Sequence, residues 1–203
     1  MRKPLFEPLQ TISPGELGAD GKSYKSENFS GSSLNDFVFS NSSFYNCNFS
    51  QACMRNAKVS SCTFVGCNLS LVALDGCRIQ DIQFLDCKIV GAEFFKCEKV
   101  FFSANFKNCL LHYCNFSDLT MKNAHFSGSK IKECYFTNTC LNNADFNGAE
   151  LLGTTFHNCD LCKADFSGAT QYSIDPVTNK IKKAKFSFPD VVGLLHGFDI
   201  IIV

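Results

Sequence analysis

The chain has no tryptophan, only 4 histidines and 5 prolines in 203 residues, and no excess of either charge, with 19 basic side chains against 19 acidic ones. Each shortage excludes something. Zero net charge leaves no basic footprint for nucleic acid, so direct DNA or RNA binding is not expected. No apolar run approaches the length of a membrane span, and Arg2 and Lys3 are followed by Pro4, Glu7 and Pro8 rather than by the apolar stretch of a signal peptide. No P-loop, nucleotide-binding glycine fingerprint or Gly-x-Ser-x-Gly elbow is present. The expectation is a non-membrane, non-enzymatic protein with no cofactor.

What is abundant is phenylalanine, at 22 copies, and cysteine, at 13. Their placement follows one rule. From Phe29 to Phe94 every fifth residue is apolar without exception, and the same holds from Phe106 to Phe166. A period of five belongs to neither an ordinary helix nor an ordinary strand. The residue two before each of these centres is usually small, as at Ala52, Cys62, Cys67, Ala124, Cys134 and Ala164. Two residues apart in extended chain means the same side, so each unit turns one large and one small side chain inward. The other three positions are rich in Asn, Asp, Ser, Gly and Lys, which favour turns. A chain that turns inward every five residues winds into a coil that buries its face only against copies of itself.

The number of sides follows from a finer pattern. Phe106, Phe116, Phe126, Phe136, Phe146, Phe156 and Phe166 recur every ten residues, with Leu, Met or Ile between them. With four units per turn, residues ten apart face each other and residues twenty apart stack, so phenylalanine lines two opposite walls as a core ladder. The expected fold is an all-β quadrilateral β-helix of about seven turns over residues 24–170. An irregular arm or cap occupies residues 1–23. The register slips by two residues within residues 95–103, as a bulge or short loop around Phe95, Glu98, Val100, Phe101 and Phe102.

Ten cysteines, at positions 47, 62, 67, 77, 87, 97, 109, 114, 134 and 159, occupy the small inward position, where a thiol packs like a slightly enlarged alanine. They are expected to be reduced, which suits a cytoplasmic protein. His112, His125 and His157 flank centres and should point outward, away from these thiols, so no metal site is expected.

Residues 171–203 lose the five-residue phase and read as a cap. Ile181 to Phe186 has strand character. Ser187, Pro189 and Asp190 suggest the start of a short helix carrying Val191, Val192, Leu194 and Leu195, with Gly197 ending it and Phe198 to Val203 extended. A free apolar edge of that kind is an aggregation hazard unless covered. Pairing with a second copy would cover it, so a homodimer is expected through Phe188, Val191, Leu194, Leu195, Phe198, Ile200, Ile201 and Ile202.

The units Ala144-Asp-Phe-Asn-Gly148 and Ala164-Asp-Phe-Ser-Gly168 resemble the consensus of the pentapeptide-repeat family. That resemblance implies a right-handed β-helix. The tail, from Tyr172-Ser-Ile-Asp-Pro through Leu194-Leu to Phe198-Asp-Ile, is similar to the topoisomerase-protecting branch, which includes the Qnr quinolone-resistance, albicidin-resistance and microcin-immunity proteins. The resemblance implies C-terminally joined dimers that engage DNA gyrase or topoisomerase IV by imitating DNA, with no catalysis. On that reading the contacts are projecting acidic residues, Asp75, Asp81, Asp86 and Asp118, with Glu98 and Phe101 of the bulge. One departure stands out: the 13 acidic and 12 basic residues of positions 24–170 balance, where a DNA-like surface is strongly negative. A scaffold or secreted effector binding some other protein is the alternative class.

Overall fold

The computed structural model describes residues 20–198, 200 and 201. Residues 1–19, which make up most of the expected N-terminal arm, lie outside that range. From Ser23 to Phe186 the chain coils through about eight turns as a parallel β-solenoid, one turn more than the sequence pattern suggests.

Four walls arise because neighbours in the sheet are twenty residues apart. Phe44 pairs with Phe64 and Val59 with Ile79. The first wall carries the centres Phe29, Phe49, Leu69, Ile89, Leu111, Ile131 and Leu151; the second carries Leu34, Met54, Leu74, Phe94, Phe116, Phe136 and Phe156. The third runs from Phe39 to Ile181 and the fourth from Tyr24 to Phe186. Every centre from Phe29 to Phe166 is buried.

Phenylalanines on one wall stack, and those on facing walls meet edge to face. Phe126 lies 4.9 Å from Phe146 with the rings 1° from parallel, while Phe126 and Phe136 meet across the core at 5.6 Å and 89°. Both arrangements place the positive edge or offset face of one ring against the negative face of another. In the N-terminal half the second wall carries aliphatics instead. There Met54, Leu74, Ile79 and Ile89 line an apolar void of about 20 Å³.

The small inward position has a second task. Its side chain donates to the carbonyl one turn and three residues earlier: Ser129 Oγ to Phe106 O at 2.8 Å, Thr154 Oγ1 to Ile131 O at 2.8 Å and Cys159 Sγ to Phe136 O at 2.8 Å. Thiols and hydroxyls therefore replace alanine there without leaving a buried donor unpaired. All 13 cysteines are free, and the ten at inward positions are buried. Burial pushes the Cys77 thiol up to about 12.

Each corner is made by a residue in the left-handed region, two positions after a centre. Among the described residues, 21 non-glycine residues and 9 glycines have positive φ, and Asn or Asp fills many of the former, as at Asn41, Asn46, Asp81 and Asn108. Their short polar side chains tolerate this conformation best, which accounts for the polar composition of the repeat.

The register slip falls between Glu98 and Ala104. Arg78 lies twenty residues from Glu98, to which it is bonded, whereas Ile82 pairs with Ala104, twenty-two residues on. Phe94–Lys96 forms a 3₁₀ turn, and Phe102 turns into the core, where it meets Phe94 edge to face at 6.0 Å.

The C-terminal segment corrects several expectations. The coil does not stop at residue 170: Tyr172 and Ile174 are buried, and Lys185–Phe186 pairs with Asp165–Phe166. Asn179 takes the small inward position of this last turn, accepting from Cys159 N at 2.9 Å and donating to Phe156 O at 2.9 Å. The expected α-helix is two 3₁₀ turns, Asp190–Leu194 and His196–Phe198. Ser187 does not cap it, because its hydroxyl accepts from Gly168 N at 2.8 Å. Gly193 lies directly over Tyr172: a Cβ there would sit 2.3 Å from the Tyr172 carbonyl oxygen. Ile200 and Ile201 are not in a strand, and Ile202 lies outside the described residues.

Candidate protein-contact surfaces

Two regions interrupt the uniform rod, the register slip on the third wall and the C-terminal end. At the slip, Val100 and Phe101 are exposed. The Arg78 guanidinium lies 4.6 Å from the Phe101 ring centroid and its Nε is 2.9 Å from Glu98 Oε2, so cation–π attraction and an ion pair share one cation. Lys99 Nζ is 3.5 Å from Asp118 Oδ2. A hydrogen bond from Asn138 and the Lys99 charge hold the Asp118 carboxyl below its ordinary range. Asp81 accepts from Ser103 Oγ at 3.2 Å.

The structure thus ties Asp81, Glu98, Phe101 and Asp118 to the same insertion. Asp75 belongs to a neighbouring cluster, between Arg55 at 3.6 Å and Lys96 at 3.8 Å. Asp86 stands apart at an exposed corner. Among the described residues, Asp75, Glu98 and Asp118 have cationic partners within 4.0 Å, and Asp81 and Asp86 have none. Sequence position alone shows these acidic residues projecting; it does not show that three of them are neutralised by residues of their own or adjacent turns.

At the C-terminal end, Phe188 is 89% exposed and Ile201 91% exposed, with Leu195, Phe198 and Ile200 also outward. Val191 and Leu194 are half-buried, and Leu194 packs against the core. These two belong to the cap more than to an open surface. The others form an apolar end to the rod.

The sequence matches the pentapeptide repeat region of one family over residues 37–100 and tandem pentapeptide repeats over residues 101–138 and 129–168. The chain is a pentapeptide-repeat protein. Its fold superposes on that of QnrB1, a plasmid-mediated fluoroquinolone resistance protein. Against one trypsin-treated variant the TM-score is 0.66 at 19% identity, covering 95% of this chain and 96% of the other. A second trypsin-treated variant gives 0.64 at 18% identity, covering 91% of this chain and 98% of the other. Full-length QnrB1 gives 0.51 at 18% identity, over 90% of this pentapeptide-repeat protein and 99% of QnrB1. No curated protein sequence matches it.

Proposed function

We propose that this pentapeptide-repeat protein is a non-catalytic binding protein that engages DNA gyrase or topoisomerase IV and relieves poisoning of the enzyme by a drug or toxin of the quinolone, albicidin or microcin type. The observation that carries the proposal is the end-to-end superposition on a fluoroquinolone resistance protein, with both chains covered almost entirely. The proposal includes a homodimer joined through the exposed apolar end, because burying Phe188, Phe198, Ile200 and Ile201 against a second copy removes that surface from water.

On this reading the rod imitates DNA by its regular, narrow shape more than by bare negative charge. Asp75, Glu98 and Asp118 would have to exchange internal partners for external ones, which brings little net gain at an exposed site. Asp81 and Asp86 carry no such cost and are the carboxylates best placed to meet a basic enzyme surface. The test is the amount of linear DNA released from gyrase–fluoroquinolone cleavage complexes with the purified protein added. We expect less linear DNA, and less relief with Asp81→Asn/Asp86→Asn, which removes the charges but keeps a residue suited to the left-handed corner, at an unchanged melting temperature. Unaltered cleavage and supercoiling at micromolar protein would refute the proposal.

A further inference from the structure

Two corners break the rule that the others obey. Among the described residues with positive φ, only Leu71 (58°) and Tyr113 (55°) carry a large apolar or aromatic side chain; the rest are Gly, Asn, Asp, Ser, Gln, Glu or Lys. A bulky residue held in this region carries a conformational cost. Burial does not offset that cost, because Leu71 is 58% and Tyr113 51% exposed.

The two lie on one edge of the first wall. Leu71 N donates to Val90 O and Gly91 N to His112 O, so Leu71, Gly91 and Tyr113 occupy successive turns. Gly91 makes room for the Leu71 side chain, since a Cβ there would lie 3.0 Å from Leu71 Cδ2. Tyr113 is held in place by stacking on His112 at 3.9 Å.

Beside this edge the strands Lys88–Val90, Leu110–His112 and Lys130–Lys132 run in register. Their pairing puts Lys88, Leu110 and Lys130 in one outward row and Val90, His112 and Lys132 in the next. Leu71, Val90, Leu110 and Tyr113 therefore lie on one face, with His112 between Leu110 and Tyr113 and with Lys88 and Lys130 on either side of Leu110. Lys132 is paired with Glu150 at 2.9 Å, but among the described residues no carboxylate lies within 4.0 Å of the Lys88 or Lys130 ammonium.

We propose that this face of the first wall docks a protein segment that carries apolar side chains flanked by acidic ones. Exposed tyrosine and leucine on a rigid sheet supply the desolvating centre; Glu133 beside Tyr113 and Glu150 next to Lys130 in its row offset part of the lysine charge, and the surplus from Lys88, Lys130 and Lys132 selects the charge of the partner. So small a surplus is too little for phosphate-driven binding, which draws its affinity from many neutralised phosphates. The inference does not depend on the topoisomerase reading, whose candidate contacts surround the insertion and stand at other corners.

The test is selection of random linear peptides displayed on phage, using the full-length protein with counter-selection on Leu71→Asn/Tyr113→Asn. The recovered peptides should place Asp or Glu beside Leu, Phe or Trp, and their affinity should fall as salt rises. They should bind the double variant at least about 30-fold more weakly. That variant should nevertheless melt no lower, because Asn suits the corner better than Leu or Tyr. Lys88→Glu/Lys130→Glu should also lose the peptides without a change in melting temperature, so the outcome does not hang on one variant folding. Recovery of no peptides, peptides without acidic residues, or equal binding to the variants would overturn the proposal. So would capture of phosphatidylserine vesicles by the wild type alone, which would make the face a membrane contact.

Discussion

Removing one ring from the middle of the ladder should cost this protein a large part of its stability. Phe146 has no exposed surface. It stacks on Phe126 at 4.9 Å and on Phe166 at 4.8 Å, and meets Phe136 at 6.2 Å and Phe156 at 5.8 Å edge to face. Truncating a buried phenylalanine to alanine costs about 3–5 kcal/mol in transfer and cavity terms. Four aromatic pairs are lost together, each at about 0.5 kcal/mol at the low end of their range, so with about 3 kcal/mol for the truncation itself Phe146→Ala should cost about 5 kcal/mol. Phe146→Leu keeps most of the volume and should cost about 2 kcal/mol, mainly the four ring pairs at about 0.5 kcal/mol each. Lys122→Ala, at an exposed residue of the same coil, should stay within about 0.5 kcal/mol. With no tryptophan in the chain, urea unfolding is best followed by far-UV circular dichroism. Similar losses for Phe146→Ala and Lys122→Ala would refute the inward register on which the whole description rests.

Three further outcomes are expected. In the native protein only Cys53, Cys140 and Cys162, which are half-buried, should react quickly with a thiol reagent, and the ten buried thiols should react only in denaturant; ten or more fast thiols would contradict this. The Asp165 carboxyl is held at about 2 by Ser167 and by Lys185, so its contribution to stability is complete above about pH 4, the unfolded value, and is lost as pH falls through about 2. Asp165→Asn should therefore flatten the acid limb of stability against pH between those values, and an identical acid limb would rule out the contribution. Deleting residues 188–203 should convert the proposed dimer to monomer or aggregate in sedimentation, and a truncated protein that remains dimeric would place the interface elsewhere.

The coil was legible because its signal repeats: 27 successive apolar centres leave no other period, and the small inward residue marks which side faces the core. The last turn was harder to see because it is shortened. Ser173 pairs with Thr155, eighteen residues back, before Lys180 restores a spacing of twenty to Asp160. Asn179 also stands where Cys or Ala is usual. A signal existed, since Phe186 lies twenty residues after Phe166 and stacks on it at 5.1 Å. The apolar spacing of Val191, Val192, Leu194 and Leu195 suggested an α-helix, but Gly193 has to press against Tyr172, and a 3₁₀ turn meets that packing. The pairing of the acidic candidates could not be read from the sequence, because Arg78 reaches Glu98, and Lys99 reaches Asp118, only once the turns are stacked. The left-handed conformation of Leu71 and Tyr113 is a property of the corners and is visible only in the folded coil.

The claim that this rod acts on a type II topoisomerase is tested most directly by equilibrium binding of the purified full-length protein to purified DNA gyrase and to topoisomerase IV across a salt series. The account predicts saturable binding to at least one of them, weakening as salt rises and weakened further by Asp81→Asn/Asp86→Asn. Absence of binding to both enzymes at low salt, with the protein folded, would contradict it.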